Sequence, residues 1–345
     1  MASQTLYIDV AAGTDTGSGT VGDPFKTIGQ GMTTIAGTNN TLYVKASGVY
    51  PETVTLKTGA GVATPNRLIG YTSNVTDGGI ITIDGSSTRS LGLIGPVNYW
   101  QVYNVKIIDT TGNGFSYSGD YHLFINCHAD GCGSNGFITD NGAAFYDCTS
   151  KNNGTSGFDT DQYCSYHRCT ANSNTSYGFF LQPGSSGPCT LNHCLAYDNG
   201  NYQVVTNGAM HMIHCTIDGN TTEPGLLFSG SVFYGFGVFE SIFVNCTTGI
   251  RFQAAASSIY PNTVIENNVM YNNTNNFSNL YQQVRETNTI TGNPQLAADY
   301  SLGVGSSAIG AGFDNTGATS AVDTGAIQLY TAAGTGGSSR IVLTS

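Results

Sequence analysis

The sequence predicts an all-β solenoid, because several kinds of residue recur along it with a period in the low twenties. A cysteine, or a residue that takes its place, recurs every 21 to 27 residues. An apolar residue stands three positions before each of these sites, and asparagine is common five positions after them. Helical repeats need about 33 residues or more per unit, so this shorter unit favours one coil of three short strands.

Four rows of aligned residues define the repeat. The cysteine row comprises Val105, Cys127, Cys148, Cys169, Cys194, Cys215, Ser241 and Asn268. The apolar row comprises Val102, Phe124, Phe145, Tyr166, Leu191, Met212, Val238 and Ile265. The asparagine row comprises Thr110, Cys132, Asn153, Asn174, Asn199, Asn220, Cys246 and Asn273. A glycine–phenylalanine row comprises Gly114-Phe115, Gly136-Phe137, Gly157-Phe158 and Gly178-Phe179.

Like residues in such a solenoid stack into columns, because corresponding positions on successive coils lie about 4.8 Å apart. We expect the cysteine row to be buried and reduced, with each thiol filling the core as a small apolar group. The chain has nine cysteines, an odd number, so they cannot all pair within it. We expect the asparagine amides to bond to one another along the stack, since each has donors and an acceptor. The rows therefore predict a parallel β-helix.

Segments near both ends, and one Asn-rich coil, resemble proteins of a known family. The N-terminal segments are Leu6-Tyr7-Ile8-Asp9 and Gly22-Asp23-Pro24-Phe25-Lys26-Thr27-Ile28, and the coil is Asn267-Asn268-Val269-Met270-Tyr271-Asn272-Asn273. The C-terminal segments are Gly292-Asn293-Pro294-Gln295-Leu296, Ser306-Ser307-Ala308-Ile309-Gly310-Ala311-Gly312 and Asp323-Thr324-Gly325-Ala326-Ile327. From about residue 5 to residue 328, the chain resembles the right-handed parallel β-helix proteins of the pectin-lyase-like group. The resemblance implies a fold of about 10 to 12 coils. It implies no single activity, because the group includes lyases, hydrolases, epimerases, phage spikes and surface proteins.

The first 40 residues are expected to form an N-terminal strand and a short helix that caps the open end of the coils. Asp23 is predicted as the N-cap of this helix and Pro24 as its first residue. Four apolar residues would share the buried face of the helix, namely Phe25, Ile28, Met32 and Ile35. Such a cap would cover strand edges and a core cross-section that would otherwise face water.

The rest of the chain divides into three parts. Residues 41–280 are expected to form the coils, and residues 281–328 a closing module. Residues 329–345 are rich in Gly, Ser and Thr before a short strand-like end, which indicates a flexible tail. Such a tail could add a strand to a neighbouring subunit, so we expect self-association, as in a trimer, or assembly with other particle proteins. A frayed terminus is the alternative.

The composition excludes several classes of partner. The net charge is −11 and no cluster of basic residues stands out, so neither nucleic acid nor an anionic membrane surface is an expected partner. No stretch approaches the roughly 20 apolar residues of a membrane span. Residues 1–13 contain neither the basic nor the apolar region of a secretory signal, so we expect folding in the cytoplasm. A location on a virion or extracellular particle would then require another route out of the cell, such as lysis.

Acidic residues gather on the strands that follow the Gly-Phe pairs. If the phenylalanines point inward, Asp159 points outward, and so does Asp161 two residues later. Asp140 would lie beside Asp161 on the adjacent coil, roughly 5 Å away. Three carboxylates on one patch could bind calcium. Two of them could instead be the acid and base of a glycosidase. The resemblance implies the same place, because hydrolases and lyases of the group use carboxylates on a parallel-sheet face. A merely solvated sheet face is the remaining alternative.

Candidate ligand-binding residues surround this patch. Gln182, Phe180 and Asn207 fall in the same outward rows on the following coils, and Trp100 is either a core residue or a surface for sugar stacking. Loops where the period lengthens are a second place for function, since insertions on a rigid solenoid commonly carry it. These loops are residues 182–188, 223–237 and 253–262.

Other chemistries have less support. Lyase chemistry needs a basic residue beside the acids, yet the lysines and arginines fall outside the rows next to Asp140 and Asp161, and Arg251 lies about four coils from the patch, roughly 20 Å away. His193 and His214 precede adjacent row cysteines and would stack about 5 Å apart, with His211 nearby, as a metal clip or as a turn stack. Two cysteine pairs have a spacing of five residues that follows the coil repeat rather than a zinc knuckle, namely Cys127 with Cys132 and Cys164 with Cys169.

Two functions follow from these observations. The first is a non-enzymatic structural or adhesion protein of a virus particle, such as a phage appendage, spike or capsid-attached protein, which could bind glycans without cleaving them. The second is a polysaccharide-degrading enzyme, a lyase or glycoside hydrolase, that acts through Asp140, Asp159 and Asp161. The absence of a recognisable lyase motif, the low charge and the tail favour the first.

Overall fold

Three parallel β-sheets wind around one core. The structure, a computed structural model, describes residues 3–57, 61–182, 187–230, 237–253, 263–279 and 284–308. Its sheets have 12, 10 and 10 strands, and every pairing between the strands is parallel. We number the sheets 1, 2 and 3 in the order in which each coil passes through them.

Strands are numbered in chain order. Sheet 1 contains β1 Thr5–Asp9, β2 Thr41–Lys45, β5 Asn66–Tyr71, β8 Trp100–Tyr103, β11 Leu123–Ile125, β14 Ala144–Tyr146, β17 Ser165–His167, β20 Cys189–Asn192, β23 Met210–Ile213, β26 Gly237–Phe239, β29 Thr263–Glu266 and β32 Val284–Thr287. Sheet 2 contains β3 Val49–Tyr50, β6 Ile81–Asp84, β9 Val105–Ile108, β12 His128–Asp130, β15 Thr149–Lys151, β18 Thr170–Asn172, β21 Leu195–Tyr197, β24 Thr216–Asp218, β27 Ile242–Val244 and β30 Val269–Tyr271. Sheet 3 contains β4 Val54–Thr55, β7 Leu93–Gly95, β10 Phe115–Tyr117, β13 Phe137–Thr139, β16 Phe158–Thr160, β19 Tyr177–Leu181, β22 Tyr202–Thr206, β25 Leu226–Phe228, β28 Thr248–Phe252 and β31 Asn275–Ser278.

The coils follow one another without a break in topology. From β2 to β31, each successive set of three strands contributes one strand to each sheet, and β1 and β32 extend sheet 1 at its two ends. The predicted all-β solenoid of stacked three-strand coils is therefore confirmed. Within the described residues the chain contains a single short α-helix, α1, Ile28–Thr34, and no helix there is long and apolar enough to pass through a membrane.

The N-terminal helix begins later than the sequence predicts. Its N-cap is Thr27, whose hydroxyl accepts a hydrogen bond from the backbone N–H of Gln30. Asp23 and Pro24 lie outside the helix, because the backbone of Phe25 pairs with β1 on both of its hydrogen-bonding sides. The predicted face is nevertheless buried, and α1 packs on β1 and β4. Glu52 accepts hydrogen bonds from two first-turn amides of the helix, which fixes it to the following coil.

The register of sheet 2 aligns the cysteine row. Strand pairing aligns the residues that directly follow the row cysteines, namely His128, Thr149, Thr170, Leu195 and Thr216. The cysteines that precede them are therefore aligned from coil to coil as well. All nine cysteines of the chain are buried and free. Row thiols also donate across to the apolar row of the preceding coil. Cys127 Sγ lies 3.4 Å from the carbonyl oxygen of Val102, for example. The predicted column of buried, reduced thiols is confirmed.

The apolar and Gly-Phe rows form the rest of the core. Every member of the apolar row is fully buried, and the register of sheet 1 pairs each with the next. The rings of Phe115, Phe137, Phe158 and Phe179 stack with centroids 4.3 to 4.9 Å apart. Stacked aromatic rings contribute more than their buried area alone, so these columns are both the main apolar core and a constraint on register.

Buried asparagines form a ladder in the turns between sheets 2 and 3. Asn153 Nδ2 donates to Asn174 Oδ1 at 2.8 Å, and Asn174 Nδ2 donates to Asn199 Oδ1 at 2.8 Å. Gln203 ends the ladder by accepting from Asn199 Nδ2 at 2.7 Å. The glycine of each Gly-Phe pair leaves room for these amides, since a Cβ at Gly136 would lie 2.7 Å from Asn153 Nδ2.

The ladder is shorter than the asparagine row suggests. Asn220 does not continue it, because this residue is exposed and has a left-handed backbone, with φ of 49°. The backbone N–H groups of Cys132 and Cys246 nevertheless bond to the asparagine one coil later, at 3.0 and 2.8 Å. A residue without a side-chain amide can therefore occupy the row and still donate its backbone N–H to the asparagine on the next coil.

A second column lies in the turns between sheets 1 and 2, one residue before the cysteine row. Its nine members all have a left-handed backbone, with φ between 48° and 56°, and they are Asn104, Asn126, Asp147, Arg168, His193, His214, Glu240, Asn267 and Asn288. Adjacent members often pair. Arg168 donates to both carboxylate oxygens of Asp147, at 2.6 and 2.8 Å, and Asn126 donates to Asn104 at 2.8 Å. This column could not be predicted from the sequence, because several of its residues are not typical of positive φ.

The described C-terminal part extends the edge of sheet 2 at Ile290 and then folds back over the outer face of that sheet. After β32, the backbone of Ile290 pairs with the edge of β30. Farther along the chain, Leu302 and Ala308 pack on the outward side chains of Ile242, Val244 and Val269 in sheet 2. The remainder of the predicted closing module, residues 309–328, and the predicted tail, residues 329–345, lie outside the described residues. The predicted assembly through the tail therefore stays a prediction.

Replacement of Asn174 by alanine should destabilise the protein by about 1 to 3 kcal/mol, because the buried amides of Asn153 and Asn199 each lose a hydrogen bond and the buried backbone N–H of Asn153 loses its side-chain acceptor. Urea unfolding followed by circular dichroism measures this loss. Asn172→Ala is the matched control, two residues away on the outer face of β18, and should change the free energy of unfolding by less than about 0.5 kcal/mol. Equal effects of the two substitutions would contradict a structural role for the ladder.

Candidate active site

The outer face of sheet 3 carries one continuous row. Strand pairing aligns Ser116, Ile138, Asp159, Phe180, Val205, Leu227 and Arg251 in that order. This is the row that the alternation of residues predicts. Its register continues one residue beyond the strands, since the backbone N–H of Asp161 donates to the carbonyl of Thr139, and that of Gln182 to the carbonyl of Thr160. Asp140 and Asp161 are therefore neighbours on adjacent coils.

Asp159 is the most firmly held of the three carboxylates. Gln182 Nε2 donates to its Oδ1 at 2.8 Å, and Asn135 Nδ2 donates to its Oδ2 at 3.2 Å. One amide comes from the preceding coil and the other from the following coil, so the carboxylate is fixed from both sides along the stack. The side chains of Asp140 and Asp161 are partly buried like that of Asp159.

Burial disfavours the charged form of all three acids. It raises the pKa of Asp161. It also raises the pKa of Asp140, which the nearby carboxylates of Asp161 and Asp120 raise further. The pKa of Asp159 is raised by burial and by Asp161, although the hydrogen bonds from Gln182 and Asn135 act in the opposite direction. Each of the three acids therefore keeps its proton to a higher pH than an ordinary aspartate, whose pKa is 3.8.

Within the described residues, no lysine, arginine or histidine forms an ion pair with these three acids. None of the ion pairs found there includes Asp140, Asp159 or Asp161, and Arg251 is four coils from Asp159 in the same row, about 19 Å at the strand spacing. Across the described ranges, no three His, Cys, Asp or Glu side chains are placed to hold a metal ion. Calcium binding by these three acids therefore gains no geometric support and stays a prediction.

Aromatic and amide groups continue the patch along the coils. Phe180 is the row neighbour of Asp159, and its ring lies 5.2 Å from that of Tyr177. Tyr202 follows on the next coil, where its hydroxyl accepts a hydrogen bond from Arg251 at 3.2 Å. Asn207, two residues after the row, is exposed. Three of the predicted ligand-binding residues, Gln182, Phe180 and Asn207, thus lie on the acidic face. Residues 183–186 of the predicted loop 182–188 lie outside the described residues, as do residues 231–236 and 254–262 of the other two predicted loops.

Trp100 is not part of this site. Its side chain is fully buried in the core, and its indole N–H donates to the carbonyl of Lys57 at 3.0 Å. The prediction that it stacks on a sugar is wrong, because a ring with no exposed surface cannot contact a ligand. The alternative, a core residue, is confirmed.

The histidines stack as the spacing predicts. The ring centroids of His193 and His214 lie 4.7 Å apart, and His214 Nε2 pairs with a carboxylate oxygen of Glu240 on the next coil. These residues belong to the left-handed turn column, on the opposite side of a coil from the acids. The turn-stack interpretation therefore has geometric support.

Two residues near the acids were missed by the sequence analysis. Asn135 supports Asp159 from the turn before the preceding strand, and Asp120 adds a fourth carboxylate close to Asp140. Asp120 is itself held by the backbone and side-chain N–H groups of Asn141. The polar residue one position before each Gly-Phe pair could have identified Asn135. No row of like residues would have identified Asp120, because amide side chains stand at its position on the neighbouring coils, namely Asn98, Asn141 and Gln162.

Carboxylates with raised pKa values suit proton transfer, since one can remain protonated while its neighbour is ionised. The amides on Asp159 fix its orientation, and the patch opens onto an aromatic surface where a substrate could lie. In glycosidases, one of two carboxyl groups acts as the acid. When the two groups stand about 5 Å apart, the other forms a covalent intermediate with the sugar. When they stand about 6.5 to 9.5 Å apart, the other activates a water molecule. At the strand spacing, Asp140 and Asp161 on adjacent coils are about 5 Å apart, and Asp159 and Asp161, two residues apart on one strand, are about 7 Å apart.

Substitution of Asp161 by asparagine should lower the pKa values of Asp140 and Asp159 towards 3.8, because its carboxylate raises both. NMR titration of isotopically labelled aspartate carboxyls measures these values. Raised pKa values contribute stability at low pH that is lost as the pH rises through the folded pKa, so the same variant should also unfold at higher urea concentration than wild type at neutral pH. Asp198→Asn, on an exposed turn after β21, is the matched control. Unchanged pKa values in Asp161→Asn would show that the acids do not interact.

Comparison with known proteins agrees with this architecture. The family model described as "Right handed beta helix region" matches residues 71–222. No curated protein sequence is similar enough to the chain to count as a relative.

Several solved structures share the fold. The pectate lyase Pel9A matches with a TM-score of 0.60 and 15% identity over 94% of this chain and 96% of its own. A complex of XylC with xylose matches with a TM-score of 0.56 and 10% identity over 77% and 75% of the two chains. The A-module of the Azotobacter vinelandii mannuronan C-5 epimerase AlgE6 matches with a TM-score of 0.54 and 14% identity over 77% and 94%. The chain therefore has the right-handed parallel β-helix fold of the pectin-lyase-like group.

Proposed function

We propose that this protein is a glycoside hydrolase that cleaves a polysaccharide on the outer face of sheet 3. The observation that carries the proposal is the cluster of Asp140, Asp159 and Asp161, whose raised pKa values and fixed neighbours suit general acid–base chemistry. Asp159 is assigned as the general acid, because two amides orient it and burial favours its protonated form. Asp161 is assigned as the partner carboxylate, which acts as base or nucleophile.

Hydrolysis fits the patch better than elimination. A lyase abstracts a proton next to a carboxylate of its substrate, and that step needs a basic residue beside the acids. Among the described residues, neither a lysine nor an arginine pairs with these acids. A hydrolase needs only two carboxyl groups in different protonation states and a water molecule. The patch provides the carboxyl groups.

The similar structures support an enzyme over a particle protein. Those reported above are a pectate lyase, a complex with xylose and an epimerase, all proteins of carbohydrate chemistry. Their identity to this chain is low, so they support the fold directly and the substrate class only by analogy. The alternative named from the sequence, a polysaccharide-degrading enzyme, is therefore preferred here to a structural protein of a virus particle.

The row on sheet 3 suggests how a polysaccharide would lie. Phe180 stands directly beside Asp159, and Tyr177 and Tyr202 extend the aromatic surface over the next coil. Sugar rings stack on such faces, while Asn207 and Gln182 offer hydrogen-bonding groups to hydroxyls. Because acids and aromatics follow one another along the stack, the chain would run parallel to the long axis of the β-helix. Uncompensated acids would repel uronates, so a neutral polysaccharide is the favoured substrate.

Substitution of either Asp159 or Asp161 by asparagine should lower kcat by about 10²- to 10⁴-fold, the usual contribution of a general acid or base. Release of reducing ends from xylan, galactan, pectate and alginate measures cleavage, and ultraviolet absorbance detects the unsaturated product that only a lyase forms. The expected result is reducing ends without the unsaturated product, on a neutral polymer.

Asp198→Asn is the control for the same change of side chain away from the patch, and it should retain wild-type activity. Circular dichroism establishes that each variant is folded. An unsaturated product would replace the proposal by lyase chemistry. Wild-type rates in both Asp159→Asn and Asp161→Asn, or no cleavage of any of the four polymers, would overturn it.

A further inference from the structure

A cavity of about 310 Å³ lies between the outer face of sheet 2 and the C-terminal segment that folds back over it. Asp218, Asn245 and Tyr271 line it from the ends of three successive strands, and Leu296 and Tyr300 line it from the C-terminal segment. This volume is at the lower end of the range for small-ligand sites, roughly 300 to 1,000 Å³. Sheet 2 faces away from the acids of sheet 3, so the cavity is separate from the candidate active site.

The polar groups of the cavity are held in a chain of hydrogen bonds. Tyr300 donates its hydroxyl to Asp218 Oδ2 at 3.1 Å, and Asn245 Nδ2 donates to Asp218 Oδ1 at 3.1 Å. Asn272 Nδ2 in turn donates to Asn245 Oδ1 at 2.7 Å. Each member is positioned by the next, so a ligand would meet groups that are already oriented. Preorganised groups cost less entropy when a ligand binds.

Aromatic rings form the apolar part of the same cavity. Tyr271 and Tyr300 both line it, and the ring of Tyr300 also packs on Tyr197 with centroids 5.0 Å apart. Tyr300 has a left-handed backbone, with φ of 64°, in the turn that presents its ring to sheet 2. A non-glycine residue in this region costs free energy that other contacts must offset. Its contacts with Tyr197 and Asp218 account for that conformation.

Charge restricts the ligand class. The only ionisable carboxylate in the lining is Asp218, and no basic side chain is among the described residues that line the cavity. An anionic group would be repelled, whereas a hydroxyl can donate to the carboxylate and to the amide oxygens. Burial and the neighbouring Asp218 raise the pKa of Tyr300, so its hydroxyl keeps the proton that it donates.

We infer that this cavity is a binding site for a neutral sugar, which stacks on Tyr271 or Tyr300 and donates hydroxyl groups to Asp218. Aromatic faces beside a carboxylate and amides supply both the apolar and the hydrogen-bonding contacts that a sugar ring offers. A site at this place would hold a glycan on a face of the β-helix that the catalytic proposal does not use. The inference does not depend on catalysis by the acids of sheet 3.

Isothermal titration calorimetry with xylotriose and cellotriose as neutral probes, and trigalacturonate as the acidic probe, tests the inference. The titrations use full-length protein carrying Asp161→Asn, so that neither neutral probe is consumed if the acids are catalytic. At least one neutral probe should bind, and Tyr300→Ala should weaken that binding about tenfold or more by removing a stacking face. Tyr300→Phe, which keeps the ring and loses the hydroxyl, should have a smaller effect. Asp218→Asn should weaken binding by removing the charged acceptor.

Tyr146→Ala, on the outer face of sheet 1, is the control and should leave the affinity unchanged. Circular dichroism of the Tyr300 variants separates loss of binding from loss of folding, and the Phe variant preserves the packing on Tyr197. Absence of binding by both neutral probes, equal affinity for trigalacturonate, or unchanged affinity in both Tyr300→Ala and Asp218→Asn would overturn the inference. These outcomes are distinct from a failure of the proposed hydrolase, which would appear as absent cleavage with this binding intact.

Discussion

Parallel pairing of each coil with the next in one fixed register is the constraint on which the rest of the molecule depends. The pairing brings equivalent residues to about 4.8 Å, so every column must consist of side chains that tolerate their own kind as neighbours. Phenylalanine rings satisfy this by stacking, thiols by their small size, and buried asparagines by bonding amide to amide. A slip of one residue would turn each strand's core side chains outward and break all three columns together.

The same constraint creates the acidic patch. Stacking places Asp140 beside Asp161 whether or not their charges repel, because the core columns determine the register and the outer face must follow it. The cost of this placement is visible in the raised pKa values of the three acids. A solvated face would have no need to orient a half-buried carboxylate, yet Gln182 and Asn135 hold Asp159 from the coils on either side. Carboxyl groups with raised pKa values and fixed orientations are typical of functional sites.

Much of this arrangement could be predicted from the sequence, because periodicity is a long-range signal in a solenoid. The spacing of Cys127, Cys148 and Cys169 determines the register, and the register determines which residues face outward with Asp159. Features without a period could not be predicted in the same way. Trp100 occupies the core before the regular rows begin. The start of α1 depends on the pairing of Phe25 with β1, and the cavity beneath Tyr300 depends on where the C-terminal segment folds back.

The most direct test of the account is a pair of distances measured along the outward row of sheet 3. Nitroxide labels would be placed at Ser116→Cys with Arg251→Cys, and at Ile138→Cys with Arg251→Cys, since the native thiols are buried. Pulsed electron resonance should give distances of about 29 Å and about 24 Å, for six and five coil steps at the strand spacing. Their difference, about 4.8 Å, is one coil and is nearly independent of the label's linker. Broad distributions, or two distances that do not differ by one coil, would contradict the register that places the three acids together.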